Sequence, residues 1–291
     1  MLNTKQEIIS GIATDIFSYE SNSKLNIVIL PGNPGIAPLY TDFANHLIQK
    51  TNSNVNIYMI SYAGFTQQNP QKHFSIREEL DHKITVINHL KSNWGKDSRV
   101  VFIGHSIGAW LVKELTKVFQ TELNPTSFLL FPFLAKSNGK RQSGFAQFIA
   151  NENHVKLLLG SYRIFRKLPT SMILSIVKLL YSHASENTIR ILEEYFLTKK
   201  NIFANIFFLA DTEFQTLTED LDLDFFKSNL KSTVLFYCTD DLWAPLSQLE
   251  FLKSKFPSIK SEVLALISHD FCVNDDQCEL VASKVMEYLM A

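Results

Sequence analysis

The chain has 291 residues, with 28 Lys plus Arg against 29 Asp plus Glu and a formal net charge of −1. That length allows one large α/β domain, or such a domain carrying an insertion, and the 46% of hydrophobic residues can fill a sizeable core. The near-zero charge and the lack of long basic runs argue against a nucleic-acid partner. The three cysteines, Cys238, Cys272 and Cys278, lack metal-ligand spacing, and a low, odd count fits a reducing compartment. No basic stretch followed by an apolar one marks the first residues, so no secretory signal is expected. No window reaches 18 apolar residues, so no transmembrane helix is expected either. A cytoplasmic protein, free or peripherally attached, is the resulting expectation.

Along the chain, residues 13–19 read as an early strand. Residues 25–30 form an apolar strand that ends at Pro31-Gly32-Asn33-Pro34-Gly35, a turn-forming cluster. A helix is expected over 39–49 and a strand over 55–61. The segment 79–90 is amphipathic, with Leu80, Ile84 and Ile87 on one face. The run Val100-Val101-Phe102-Ile103 is a strand, followed by a helix whose apolar face carries Ile107, Leu111, Leu115 and Val118, with Lys113, Glu114 and Lys117 elsewhere. Residues 127–131 form the next strand. Near-continuous apolar strands alternating with helices predict a mostly parallel sheet with helices on both faces.

The alternation stops between 133 and 230, which reads as helices and loops. It resumes with a strand over 233–238, a helix near 246–256, a strand over 262–267 and a last helix. That helix is N-capped by Asn274 and carries its apolar stripe on Val281, Val285, Tyr288 and Leu289. The expected organisation is a core of residues 1–132 and 231–291, interrupted by a helical lid or cap at 133–230. Ligands of open parallel sheets sit at the carboxyl ends of the strands. An insertion leaving from that edge lies over whatever chemistry is there.

Chemistry is indicated by Gly104-His105-Ser106-Ile107-Gly108, a G-x-S-x-G between a strand and a helix. A serine hydroxyl needs geometry and a neighbouring base to become a nucleophile, and a sharp strand-to-helix turn supplies the geometry. In this architecture the acid and base follow the serine in the order Asp, His. After strand 233–238 come Asp240 and Asp241. Both are candidates for the acid; Asp241 precedes Pro245 by four residues, the D-x-x-x-P spacing of this loop, and the other would be a turn or capping aspartate. After strand 262–267 comes His269, the expected base, which takes the Ser106 proton while the carboxylate fixes its tautomer. The remaining histidines read as surface or core residues, and His105 points away from its neighbour Ser106. The oxyanion hole is expected to use the backbone N–H of Ile107 and that of Asn33, because Pro34 has none. The triad and backbone donors suffice, so neither a metal nor an organic cofactor is implied.

The combination of Pro31-Gly32-Asn33-Pro34-Gly35 with Tyr40 and Phe43, Asp81-His82-Lys83, Gly104-His105-Ser106-Ile107-Gly108, Leu130-Phe131-Pro132 and Ser137-Asn138-Gly139 resembles the lipid droplet-associated hydrolase family of α/β-hydrolases. Further matches are Asp241-Leu242-Trp243-Ala244-Pro245 and His269-Asp270-Phe271. The resemblance spans about residues 25–271 and is weakest in the insertion. It implies the α/β-hydrolase fold, a cytosolic serine hydrolase with Ser106, Asp241 and His269 in the catalytic roles, association with neutral-lipid droplets, and sterol esters or acylglycerols as substrates.

Within the insertion, 155–168 mixes leucines and aromatics with Lys156, Arg163, Arg166 and Lys167, and 172–181 is apolar almost all round. A basic, apolar helical pair suits a lipid interface. The same residues suit, and better, a packed lid that lines an acyl pocket. Two functions therefore stand: hydrolysis of an apolar carboxylic ester through an acyl-Ser106 intermediate, or association with a lipid droplet or membrane surface with weak esterase activity. Haloalkane dehalogenation, which also favours an Asn in this loop, needs an Asp nucleophile where this chain has Ser106.

Overall fold

A strand covered on both faces must be apolar along its length, and such strands form the centre of this molecule. The computed structural model describes residues 2–66, 68, 72–137, 139–199 and 201–290; Asn138 of the Ser137-Asn138-Gly139 match lies outside them. The chain begins with Asn3–Ile9 (β1), Ile12–Tyr19 (β2) and Leu25–Leu30 (β3). Thr41–Lys50 (α1), Asn56–Ile60 (β4), Ile76–Lys91 (α2), Arg99–His105 (β5), Ile107–Leu123 (α3) and Thr126–Leu130 (β6) follow. Between β6 and β7 come Lys140–Ala150 (α4), Glu152–Phe165 (α5), Thr170–Leu180 (α6), Glu186–Glu193 (α7), Ile202–Thr216 (α8) and Leu223–Ser228 (α9). The chain closes with Thr233–Cys238 (β7), Leu246–Lys255 (α10), Lys260–Leu264 (β8) and Asp275–Met290 (α11).

One sheet has the strand order β1-β2-β4-β3-β5-β6-β7-β8, parallel from β4 through β8, with β1 and β2 antiparallel at one edge. The chain steps one way from β3 to β4 through α1 and the other way from β4 to β5 through α2. Right-handed crossovers therefore put α1 on one face and α2, α3 and α10 on the other. α11 packs against α1, and α2 against α3, so both faces are covered. Asn274 caps α11 as expected, its Oδ1 accepting from Gln277 N at 3.0 Å.

Several elements differ from the sequence reading. β1 escaped it because an edge strand such as Asn-Thr-Lys-Gln-Glu-Ile-Ile is solvated and shows no apolar alternation. β8 ends at Leu264 rather than 267; Leu266 extends the apolar run in sequence but is 90% exposed in a turn. α2 starts three residues early because Ser75 and Glu78 form a capping box. Its buried face carries Glu79, His82 and Lys83, where the Lys83 ammonium donates to Glu79 at 2.9 Å and the Ala63 and Gly64 N–H groups fill the carboxylate. In α3 the apolar stripe continues from Leu115 to buried Phe119, leaving Val118 half exposed, and Lys113 is buried between the Trp110 ring and the carboxylates of Glu114 and Asp222.

The β5–α3 turn is the tightest place in the fold. Ser106 has φ 54° and ψ −122°, a region that side-chain-bearing residues rarely enter. A Cβ on Gly104 would lie 2.2 Å from the Gly108 carbonyl oxygen, and one on Gly108 would lie 2.3 Å from that of Pro31. Both clashes are with backbone, so neither relaxes by rotating a side chain. Gly108→Ala is expected to lower stability by about 1–3 kcal/mol, seen as a lower urea midpoint with unchanged slope; an unchanged midpoint would mean that the loop after β3 yields freely.

Candidate active site

Three strand ends bring the expected residues together. β5 delivers Ser106, the loop after β7 delivers Asp241, and the loop after β8 delivers His269. His269 Nε2 lies 2.9 Å from Ser106 Oγ, and His269 Nδ1 lies 2.8 Å from Asp241 Oδ2. A carboxylate only accepts, so Nδ1–H donates to Asp241, which leaves the Nε2 lone pair to take the Ser106 hydroxyl proton. The other Asp241 oxygen accepts from the N–H groups of Trp243 at 2.8 Å and Ala244 at 3.1 Å. Burial pushes the Asp241 carboxyl upward, but the His269 hydrogen bond and charge with these two N–H groups outweigh it and hold the group below its ordinary range. Asp240, the other candidate, is exposed in a turn at φ 59°, and the hydrogen bond to His269 comes from Asp241. Its place is a turn residue.

Ser106 itself is held by its backbone. Its N–H donates to the Leu130 carbonyl at 3.0 Å, and its carbonyl accepts from Phe133 N–H at 3.1 Å and Ala109 N–H at 3.0 Å. Ile107 begins α3, where the first N–H groups have no partner inside the helix. Asn33 lies in the loop after β3, at the rim of the cavity containing Ser106, and its N–H meets no acceptor among the described residues. Asn33 thus lines the same cavity as the hydroxyl, and Ile107 follows Ser106 directly at the start of α3.

His105 has a larger part than its sequence position suggests. Its Nε2 lies 2.8 Å from the His269 carbonyl, so it carries the proton there. Its Nδ1 must then accept, and it does so from the Tyr40 hydroxyl at 2.5 Å. The Tyr40 oxygen in turn accepts the Gly32 N–H at 2.9 Å. One buried imidazole therefore ties the oxyanion loop, through Tyr40, to the His269 loop. Burial is the largest cause that drives its pKa down to about 3, so it braces the site as a neutral ring. The signal for this bracing is the pair Tyr40 and His105, which nothing in the sequence links.

A cavity of about 300 Å³ opens above Ser106. Phe133, Phe145, Phe214 and Trp243 form one wall, with Phe133–Trp243 ring centroids at 5.5 Å and Phe145–Trp243 at 5.3 Å. Phe145 and Phe214 come from α4 and α8, so the segment between β6 and β7 supplies part of the lining. Such a site can bring an apolar acyl group to a serine hydroxyl beside two unpaired N–H donors. No group of three or more metal-ligating side chains is assembled among the described residues.

A profile of a family described as lipid-droplet associated hydrolase matches residues 23–272. A lipid droplet-associated hydrolase of Rattus norvegicus is 26% identical over 272 residues, covering 87% of this chain and 81% of the relative. Among solved structures, the thioesterase domain from the curacin biosynthetic pathway has a TM-score of 0.67 at 14% identity, covering 99% of each chain. An alpha/beta hydrolase fold protein from Burkholderia ambifaria has a TM-score of 0.63 at 14% identity, covering 97% of each. The structural likenesses show that the fold is that of the α/β-hydrolases.

The neutral His105 makes the bracing sensitive to acid. Between about pH 3 and its ordinary 6.5, unfolding lets the ring take up a proton that the folded state refuses. Its contribution to stability is therefore complete above about pH 6.5 and is lost as pH falls toward 3. The wild-type urea midpoint should fall more steeply over that window than the midpoint of His105→Gln, which cannot titrate. Parallel curves would remove this assignment.

Proposed function

The chain belongs to the lipid-droplet associated hydrolase family, and within it we propose a serine hydrolase that cleaves apolar carboxylic esters through an acyl-Ser106 intermediate. The observation that carries this reading is the chain of hydrogen bonds Asp241–His269–Ser106, at 2.8 and 2.9 Å, at the floor of an aromatic-walled cavity. His269 removes the Ser106 proton as Oγ attacks the ester carbonyl, and the imidazolium is stabilised by Asp241. The oxyanion is received by the N–H groups of Asn33 and Ile107. The imidazolium then protonates the departing alkoxide, and a water activated by the same ring releases the acid.

The segment 133–230 acts in this reading as a cap over the site and as the contact with lipid. α5 and α6 leave Leu157, Ile164, Met172 and Leu179 more than half exposed, beside the cations of Lys156, Arg163, Lys167 and Lys178. No described helix is long and apolar enough to cross a membrane. An apolar ridge rimmed by cations favours lying in the plane of a lipid surface. The name of the rat relative, a lipid droplet-associated hydrolase, supports the same location for this chain.

Three measurements test these assignments. Ser106→Ala should lose labelling by a fluorophosphonate probe, and Asp241→Asn should lower kcat on a p-nitrophenyl ester by about 10⁴-fold, while Asp240→Asn stays near wild type. Equal losses at the two aspartates would reassign the acid. Separately, Ile164→Glu combined with Leu179→Glu should weaken flotation with a phospholipid-coated triacylglycerol emulsion by at least about tenfold, with soluble-ester turnover unchanged. Undiminished flotation would take the lipid contact away from α5 and α6.

A further inference from the structure

The cavity above Ser106 contains a buried carboxyl that the acyl-transfer steps do not use. Glu213, in α8, lines that cavity and is 5% exposed. No cation pairs with it among the described residues, and its Oε1 has no hydrogen-bond partner. The Asn33 side-chain amide lies beside this carboxyl, a contact that favours the ionised form but is outweighed by burial, and Asn33 Oδ1 is also buried without a partner. One N–H of Asn33 Nδ2 goes to the Ile206 carbonyl, two turns earlier on α8, at 3.0 Å, and Asn33 Oδ1 at the other end of the amide has no donor. The pair therefore holds two buried oxygens short of a donor. A single proton on Glu213 supplies it.

We propose that Glu213 is a positioning residue that works as a neutral carboxylic acid, donating its O–H to Asn33 Oδ1 and fastening the oxyanion loop to α8. The inference rests on the proposed oxyanion role of Asn33. With Ile206 accepting from one end of the Asn33 amide and Glu213 donating to the other, the side chain is gripped at both ends. The backbone N–H of the same residue is thereby held at the rim of the site. A proton lost from Glu213 would break the second grip and set a negative charge near the place where the ester oxygen becomes negative. Burial favours the neutral form and pushes this carboxyl up to about 8.

The titratable groups around it supply no competing charge pair. On the connection between β4 and α2, Tyr62 gives its hydroxyl to the Pro31 carbonyl at 2.6 Å, and His73 pairs with Asn205. Glu79 and Lys83 of α2 lie behind Tyr62 and pair with each other. After β6, the Lys136 ammonium is on the Phe214 carbonyl at 3.2 Å. Around the cavity stand Tyr40, neutral His105, Tyr181, His269 and Asp270; on α8 itself, Asp211 bonds Gln215.

The test is kcat and KM for a short p-nitrophenyl ester as a function of pH, for wild type, Glu213→Gln and Glu213→Leu of the full chain. The Gln amide can still donate to Asn33 Oδ1 but cannot ionise. Wild-type kcat should fall about tenfold per pH unit above about pH 8, whereas Glu213→Gln should match wild type within about threefold at pH 7 and stay level above 8. Glu213→Leu should lose about tenfold or more in kcat with KM little changed. An alkaline limb shared by wild type and Glu213→Gln overturns the proposal, and this arm decides even where Glu213→Leu fails to fold. A folded Glu213→Leu with wild-type kcat overturns it as well. Retained turnover in Ser106→Ala would instead remove the hydrolase reading, so the two failures are told apart.

Discussion

The close contact of backbone with backbone at the β5–α3 turn is the constraint on which the rest of the site depends. Gly108 lies against the carbonyls of Leu30 and Pro31 because it has no side chain, and Gly104 lies against Gly108 for the same reason. That contact fixes the loop after β3 beside Ser106. It also pins the positive φ of Ser106, which β5 and α3 alone would not hold. The proposed nucleophile and the proposed oxyanion loop, drawn from different crossovers, thereby share one small volume. Catalytic groups gain from such preorganisation because no reorganisation is needed as charge develops.

Buried hydrogen bonds then carry this placement outward. From Ser106 the chain runs through His269 to Asp241, whose other oxygen is filled by the Trp243 and Ala244 N–H groups. A second chain runs from Gly32 through Tyr40 and His105 to the His269 carbonyl. The two chains meet at His269, one through its ring and one through its backbone. The loops after β3 and β8 are thus held to each other by hydrogen bonds as well as by the packing of Tyr40 on Phe271. In a water-poor interior such fully paired chains are rigid, because each member left alone would be a buried unsatisfied group.

The alternation of apolar strands with helices, the G-x-S-x-G turn, and the positions of Asp241 and His269 just past strand ends were legible because each depends on local pattern and chain order. The β1 strand was not, since an edge strand solvated on its faces leaves no periodic signature. Nor was the buried face of α2. The periodicity put only Leu80, Ile84 and Ile87 on one face, and the folded chain alone brings Ala63, Gly64 and Thr14 to pair with buried Glu79 and His82. The pairing of Asp241 rather than Asp240 with His269 and the bracing by His105 are likewise three-dimensional, since each turns on which side chain points inward. Spacing suggested the first and could not suggest the second.

The segment between β6 and β7 divides by its hydrogen bonds into two unlike halves. α8 is fastened to the core: the Ile206 carbonyl accepts from Asn33, Asn205 donates to the Gly64 carbonyl and pairs with His73, and Thr212 Oγ1 accepts from Ile76 N–H at 3.1 Å. α5 and α6 are held differently, packing inward through buried Tyr162 and Ile173 while Leu157, Leu158, Ile164, Met172, Leu179 and Leu180 face out. The Tyr162 hydroxyl and the Arg166 guanidinium do donate to the carbonyls of Phe196 and Leu197, but those belong to the same segment, not to the sheet. The inner half therefore shares the rigidity of the active site, and the outer half has few ties that a lipid surface would need to break. Preorganised chemistry and an adaptable apolar surface coexist in one chain because the element between them, α8, belongs to the first.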